Sequence, residues 1–199
     1  MRFLSALVMM LMGVVGYAKE EACLYHVDSK ALEWTAFKTS KKAPVKGTFK
    51  TIELHSSGAG KSQSLESFLK GLTFKVDTLT LDTKNPARDE NIVTNFFKKI
   101  AGKPEFTGKV VSVDLKKHKA VLELVLGGKK HKVPFEVKGS LQEGFEAKGK
   151  IDLLKVGLKT AFESLHQSCF DLHKGEDGKS KTWSDVELLA KLKVSCAKS

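Results

Sequence analysis

Apolar and polar residues alternate along most of this chain, and short glycine-containing segments interrupt the alternation. Between Phe145 and Ile151, for example, Lys148 and Lys150 occupy polar positions. Because successive side chains of a β-strand point to opposite faces, a period of two predicts strands with one apolar face. The glycine pair at 127–128 supplies the flexible residues that tight hairpin turns require. The pattern therefore predicts an all-β domain of short antiparallel strands.

The alternation predicts eight strands, at 24–34, 45–54, 72–82, 106–115, 120–126, 130–138, 141–153 and 182–194. Apolar residues grouped on one face predict short helices, at 65–69, 88–100 and 158–165. Eight antiparallel strands can close into a barrel whose interior holds one small ligand. We therefore expect an eight-stranded antiparallel barrel, with two or three helices that cap it.

The side chains on the inward face of such a barrel are mostly aromatic or aliphatic in this chain. Of twelve phenylalanines only Phe3 lies in the first 18 residues, whereas Tyr25 is the only tyrosine beyond them. An interior rich in phenylalanine is dry and offers few hydrogen bonds. The residues expected to line the interior are Trp34, Phe37, Phe49, Leu79, Leu81, Phe96, Phe97, Phe106, Leu122, Phe135, Phe145 and Phe162. The same side chains would also suit a close-packed core without a ligand.

The first 18 residues have the composition of a secretory signal peptide. Arg2 gives a positive start, and residues 3–15 form an apolar run too short to span a bilayer. Gly16 and Ala18 are the small residues that signal cleavage requires. We therefore expect 1–18 to be a signal peptide and 19–199 to be a single domain that is periplasmic or secreted.

Three cysteines in an exported chain predict one disulfide and one remaining thiol. If the sheet closes on itself, the first and last strands become antiparallel neighbours, and Cys23 then lies opposite Cys196. This arrangement favours a Cys23–Cys196 bond over a bond from either residue to Cys169. A bond across so long a segment would stabilise the fold by roughly 4–5 kcal/mol in the loop-entropy model.

The chain is basic, with a formal net charge of +11. A basic excess suits nucleic acids, anionic lipid headgroups or acidic polymers as partners. Export argues against a nucleic acid partner. The lysines are also dispersed over the polar positions of the alternating segments, which favours a solvated outer face.

Motifs for catalysis or metal binding are weak in this sequence. Residues 58–62 resemble the end of a phosphate-binding loop, but His55 stands where that loop needs its first glycine. His166, Cys169 and His173 have a spacing that zinc ligands can adopt, yet no fourth ligand lies nearby in the sequence. No Gly-x-Ser-x-Gly nucleophile motif occurs. We therefore expect no metal site, no cofactor and no enzymatic activity.

One longer stretch carries a family resemblance. Asp82 to Asp89 reads Asp-Thr-x-Asn-x-x-Arg-Asp, and Phe96-Phe97 follows it on a predicted helix. This order resembles the YceI-like family, which comprises lipocalin-like carriers of polyisoprenoid lipids. Residues 34–38, 45–49 and 169–183 resemble the same family in the same order.

The resemblance implies a lipocalin-like barrel that carries or stores a long-chain apolar lipid, such as an isoprenoid quinone, a polyprenyl phosphate or a fatty amide. Transient membrane contact and homodimerisation are compatible with that role. Arg88 is the candidate for the lipid headgroup, because its guanidinium suits a phosphate or a quinone carbonyl. Arg88 would otherwise form an ion pair. Residues 151–158 depart from the family, where many members have an arginine and an aromatic-glycine pair, so we expect no headgroup contact there.

The alternative is an exported basic interaction protein with a filled core, whose surface binds acidic glycans or membranes. A continuous apolar cavity inside the barrel distinguishes the lipid carrier from this alternative.

Overall fold

The computed structural model describes residues 23–57 and 64–198. The expected signal peptide at 1–18 and the glycine-rich segment at 58–62 lie outside the described residues, so both interpretations stay predictions.

An antiparallel sheet of ten strands dominates the described part of the chain. The strands are β1 (Cys23–Lys38), β2 (Ala43–Phe49), β3 (Ile52–Ser56), β4 (Leu72–Asp77), β5 (Leu81–Asp82), β6 (Glu105–Asp114), β7 (Lys119–Leu126), β8 (Lys129–Ser140), β9 (Gly144–Asp152) and β10 (Asp185–Lys198). The helices are α1 (Leu65–Lys70), α2 (Pro86–Asn95) and α3 (Lys159–Ser168), with 3-10 turns at Thr78–Thr80, Phe97–Lys99 and Asp171–His173. The all-β prediction with short helices is confirmed.

The predicted number of eight strands is not confirmed, because two predicted strands are each divided. Residues 50–51 separate β2 from β3, and a 3-10 turn separates β4 from β5. In that turn the Asp77 carboxylate accepts the Leu79 N–H at 2.9 Å, and such local bonds compete with strand pairing. The two breaks face each other, since the Lys50 N–H donates to the Thr80 carbonyl at 3.0 Å. Alternation does not reveal a bend of this kind, because it continues on both sides.

The sheet curls until its two ends meet. Its strand order is β3-β4-β6-β7-β8-β9-β10-β1-β2-β5, so β2 and β3 lie near opposite ends. Only residues 50–51 join these two strands along the chain. The antiparallel sheet must therefore wrap around on itself, and the fold is barrel-like.

The antiparallel register gives this barrel two distinct ends. The connections at 39–42, 127–128 and 153–184 lie at one end, and α3 in the last of them packs against α2. We call this the helical end. The turns at 115–118 and 141–143, the helix α1 and the start of β1 lie at the other end, which we call the disulfide end.

The disulfide end is covalently tied and close-packed. The structure contains the Cys23–Cys196 bond that the sequence favours, with Cα atoms 5.4 Å apart, and Cys169 is a free, buried thiol. The Tyr25 and Phe68 rings pack at a tilt of 38° with centroids 5.4 Å apart, and Phe68 on α1 is fully buried. Strands β1 and β10 are thus fixed where the chain enters and leaves the sheet.

At the helical end, a polar and aromatic cluster fixes the turn between β1 and β2. Asp185 at the start of β10 accepts hydrogen bonds from Lys150 and Lys42, which lower its pKa to about 2. The Lys42 ammonium also lies 4.9 Å from the Trp183 ring centroid. Trp183 donates its indole N–H to the Thr39 carbonyl at 2.9 Å. The cluster therefore joins β1, β2, β9 and β10.

We expect removal of the disulfide to lower the free energy of unfolding by about 4–5 kcal/mol. The two cysteines are 173 residues apart in the sequence, so the bond restricts a long loop of the unfolded chain. The variant is Cys23→Ser/Cys196→Ser, measured by urea denaturation. Thiol titration of the unfolded wild-type protein should give one reactive group, and three reactive groups without reductant would contradict the assignment.

Candidate ligand-binding cavity

A cavity of about 620 Å³ occupies the interior of the barrel. Every strand except the two-residue β5 contributes to its wall, and α2 borders it at the helical end. The wall is predominantly apolar. Cavities of roughly 300–1,000 Å³ with such walls are typical of sites for apolar small molecules. The interior is therefore not a filled core.

Most of the residues expected to line the interior do border this cavity. They are Trp34, Phe37, Phe49, Phe96, Phe97, Phe106, Leu122, Phe135 and Phe145. Arg88, the headgroup candidate, lies at its margin. The cavity therefore brings together residues that the sequence separates by more than a hundred positions.

Three of the expected residues lie elsewhere. Leu79 is 46% exposed, because the 3-10 turn at Thr78–Thr80 interrupts the alternation that would have turned it inward. Leu81 is buried in the core but does not border the cavity. Phe162 on α3 is half-buried and packs against the core, while other residues of that segment reach the cavity.

Sequence reasoning missed the small residues of the wall. Ala36, Ala120, Ala147 and Ala190 border the cavity from four different strands. Ala36 shares a face of β1 with Trp34, and Ala147 shares a face of β9 with Phe145. The alternation that predicts inward aromatic side chains predicts these alanines equally well, because it depends on position in the strand and not on side-chain size.

Three aromatic side chains cover glycines of the neighbouring strand. The pairs Trp34–Gly47, Phe74–Gly108 and Phe135–Gly149 are direct register partners in the sheet. A Cβ placed on Gly149 would lie 2.7 Å from the Phe135 ring, which is far inside contact distance. The equivalent atoms on the other two glycines would also overlap the facing rings.

These pairs keep the interior open. Each ring fills the space that a side chain would take on the adjacent strand, so it lies along the wall instead of across the lumen. The Trp34 indole nitrogen is shielded from solvent and has no acceptor among the described residues.

The helical margin of the cavity is polar, and Thr182 is at its centre. The Thr182 hydroxyl oxygen lies 2.7 Å from His173 Nδ1 and 2.8 Å from His166 Nδ1. One hydroxyl proton can serve only one ring, so the other ring donates its own Nδ1–H to the oxygen. Burial, together with Lys38 and His166, lowers the pKa of His173 to about 4. His173 is therefore neutral at pH 7.

Arg88 and Asp89 have separate roles at the start of α2. The Asn85 side chain caps the helix by accepting the Arg88 N–H at 3.0 Å. Asp89 accepts the backbone N–H of Thr83 at 2.9 Å and thereby ties α2 to the end of β5. Arg88 is exposed and forms no ion pair with any carboxylate in residues 23–57 or 64–198. Its guanidinium is available to a ligand at the cavity margin.

The candidate zinc ligands do not converge. His166 and His173 direct Nδ1 to Thr182, whereas Cys169 accepts a hydrogen bond from the Asn91 amide at 3.1 Å. Within the described ranges, no group of three or more histidine, cysteine or carboxylate residues could hold a metal ion.

A model of the YceI-like domain matches residues 25–192, which is most of the chain. The chain belongs to the YceI-like family. This confirms the resemblance that the motifs around Asp82–Asp89 indicated, and it agrees with the barrel-like fold. No curated protein matches this YceI-like chain significantly.

Solved structures share the fold at low sequence identity. A polyisoprenoid-binding domain from Saccharophagus degradans, implicated in plant cell wall breakdown, matches with a TM-score of 0.59 and 13% identity, over 88% of this chain and 99% of that one. BcnA from Burkholderia cenocepacia matches with a TM-score of 0.56 and 12% identity, over 83% of this chain and 96% of that one. At these identities the likeness describes the YceI-like fold alone.

Gly149→Ala should destabilise the YceI-like barrel by about 1–3 kcal/mol, because the new methyl group overlaps the Phe135 ring and forces it inward. Urea denaturation measures the loss. A double variant with Phe135→Leu should lose less than the sum of the two single variants, since the smaller side chain relieves the overlap. Strict additivity would contradict the proposed contact.

Stability should fall as the pH is lowered from about 6.5 to about 4, because the pKa of His173 is depressed to about 4 in the folded chain. In that range the unfolded chain binds a proton that the folded chain does not, which favours unfolding. His173→Asn should reduce the slope of unfolding free energy against pH. His118→Asn, at an exposed turn position, is the control, and equal slopes in the two variants would refute the assignment.

Proposed function

We propose that this protein binds a long-chain apolar lipid inside its barrel and carries or stores it. The observation that supports this most directly is the cavity of about 620 Å³, whose wall is apolar and comes from nine of the ten strands. Membership of the YceI-like family supports the same role.

The hydrophobic effect is sufficient to hold such a ligand. Burial at about 0.8 kcal/mol per methylene gives roughly 4 kcal/mol gross for each five-carbon isoprene unit. A few units in a preformed apolar cavity then give tight binding, and the lipid chain requires no charged clamp. An isoprenoid is the preferred cargo, because the structurally similar Saccharophagus degradans domain is described as polyisoprenoid-binding.

The polar margin at the helical end suits the headgroup of that lipid. Arg88 offers a fork of donors, while Asn91 and neutral His173 offer uncharged polar groups at the same margin. An isoprenoid quinone, a polyprenyl phosphate and a fatty amide all carry an acceptor that such a margin can meet. We propose these three classes as ligands, with no further cofactor and no catalytic step.

The periplasm or the extracellular space is the proposed location. The Cys23–Cys196 disulfide supports it, because such bonds persist in oxidising compartments. The composition of residues 1–18 supports it independently. No helix in the described part of the chain is long and apolar enough to cross a membrane. Homodimerisation stays compatible with this proposal, whereas the alternative of a basic binder with a filled core conflicts with the cavity.

Organic extraction of the purified protein, followed by mass spectrometry, should release a long-chain lipid. Ala147→Phe should lower the lipid content severalfold, because Ala147 borders the cavity and a ring there narrows it. The fold should persist, since the ring enters space that lipid would otherwise occupy. Lys148→Phe is the matched control, because it places the same ring on the exposed outer face of β9.

Equal lipid content in Ala147→Phe and Lys148→Phe would show that the cavity is not the site. Absence of lipid from wild-type protein, together with failure to bind an added isoprenoid quinone or polyprenyl phosphate, would refute the proposed function.

A further inference from the structure

The exposed large apolar side chains are confined to one end of the barrel. Among the described residues they are Leu79, Leu154, Phe170 and Leu172, with exposed fractions of 42–68%. Leu154, Phe170 and Leu172 lie in the 153–184 connection at the helical end. Leu79 lies beside the start of β6, where the neighbouring Thr78 N–H donates to the Pro104 carbonyl. Exposure of four such side chains at one end costs hydration free energy unless something apolar covers them.

Three connections meet near Leu154. A Cβ placed on Gly127 would lie 3.5 Å from Leu158 and 3.6 Å from Ile100, so the β7–β8 turn touches both the start of α3 and the segment after α2. Ile100, Gly127 and Leu158 also border the cavity. This meeting point is therefore a margin of the lumen.

We give the name basic rim to four lysines that lie within three residues of Ile100, Gly127 or Leu158 in the sequence: Lys98, Lys99, Lys129 and Lys155. All four are exposed, and none forms an ion pair within residues 23–57 or 64–198. Asp152, the nearest carboxylate to Lys155 in the sequence, accepts the backbone N–H groups of Leu154 and Lys155, and it attracts the Lys155 ammonium without a direct ion pair. The basic rim therefore keeps its positive charge available to a partner.

We propose that the helical end docks on an anionic membrane surface, with the basic rim against lipid headgroups and Leu154 among the acyl chains. The proposal rests on the lipid-carrying function, because docking there would bring the cavity margin to the bilayer from which cargo is taken or to which it is released. Lysines next to an anionic bilayer each contribute favourably to binding, and exposed leucines gain from the hydrocarbon.

The apolar side chains distinguish a bilayer from an acidic polymer as the partner. A polyanion would satisfy the basic rim equally well, but it would leave Leu154 and Leu172 in water. Only a partner with both negative charge and an apolar interior complements the two features that the helical end combines.

The test uses sedimentation of the full chain with vesicles of phosphatidylglycerol and phosphatidylcholine, compared with pure phosphatidylcholine. Lys98→Glu/Lys155→Glu should weaken binding to the anionic vesicles by at least about tenfold. Lys116→Glu/Lys119→Glu changes the net charge equally at the disulfide end, and we expect it to bind almost like wild type. Both control lysines are exposed and lie in the β6–β7 hairpin.

Equal loss in the two double variants would overturn the proposal, since net charge alone would then explain binding. Unchanged binding in both variants would overturn it as well. Leu154→Ser should weaken vesicle binding several-fold and leave binding to heparin, a polyanion without an apolar interior, unchanged. If Leu154→Ser weakened heparin binding equally, an acidic glycan would be favoured as the partner and the proposal of a bilayer would be overturned.

The lipid content of each purified variant separates this proposal from the proposed function. The basic-rim variant should retain cargo in the cavity while it loses vesicle binding. If extraction releases no lipid from wild-type protein, the carrier function fails, whatever the vesicles show. If wild-type protein retains lipid but binds anionic vesicles no better than neutral ones, the docking proposal alone fails.

Discussion

Contact between aromatic rings and glycines on adjacent strands keeps the barrel hollow. Trp34, Phe74 and Phe135 each cover a glycine directly across the sheet, so three large rings add apolar surface without filling the centre. A protein interior normally collapses to close packing, because a void forfeits dispersion contacts. Here glycine removes the side chain that would push each ring into the lumen. The cavity, its apolar character and the proposed cargo all depend on that arrangement.

The two ends of the barrel have different roles. The disulfide end is closed by Phe68 and Tyr25 and by the covalent bond between the first and last strands. The helical end combines the polar margin around Thr182, exposed apolar side chains and unpaired lysines. Stability and exchange with the surroundings are therefore located at opposite ends, and substitutions that affect one need not disturb the other.

The sequence predicted the features that depend on local periodicity and on pairing of the first strand of the chain with the last. Alternation placed Phe135 and Phe145 inward, and the antiparallel closure brought Cys23 to Cys196. The prediction failed at Leu79. There the Asp77 carboxylate accepts the Leu79 N–H and stabilises a local turn, which the alternation of apolar and polar residues does not reveal.

The polar margin was not predictable for a different reason. His166, His173 and Thr182 come together only through the fold of the connection between β9 and β10, where no periodic pattern operates. The spacing of His166, Cys169 and His173 is one that zinc ligands can adopt, but it does not reveal that the two imidazoles contact one hydroxyl, that of Thr182. The glycine–aromatic pairs were not predictable either, because the register between strands decides which ring faces which glycine.

The position of the disulfide also determines where the protein can be attached to a support without blocking the helical end. Cys23 and Cys196 lie at the same end, opposite α2 and α3. A chip, a bead or a flexible tether attached next to either cysteine would leave the helical end facing away from the support. Immobilised molecules would then share one orientation, with the lumen margin facing the solution, and a surface-based assay of cargo uptake could use the native chain without moving its attachment point.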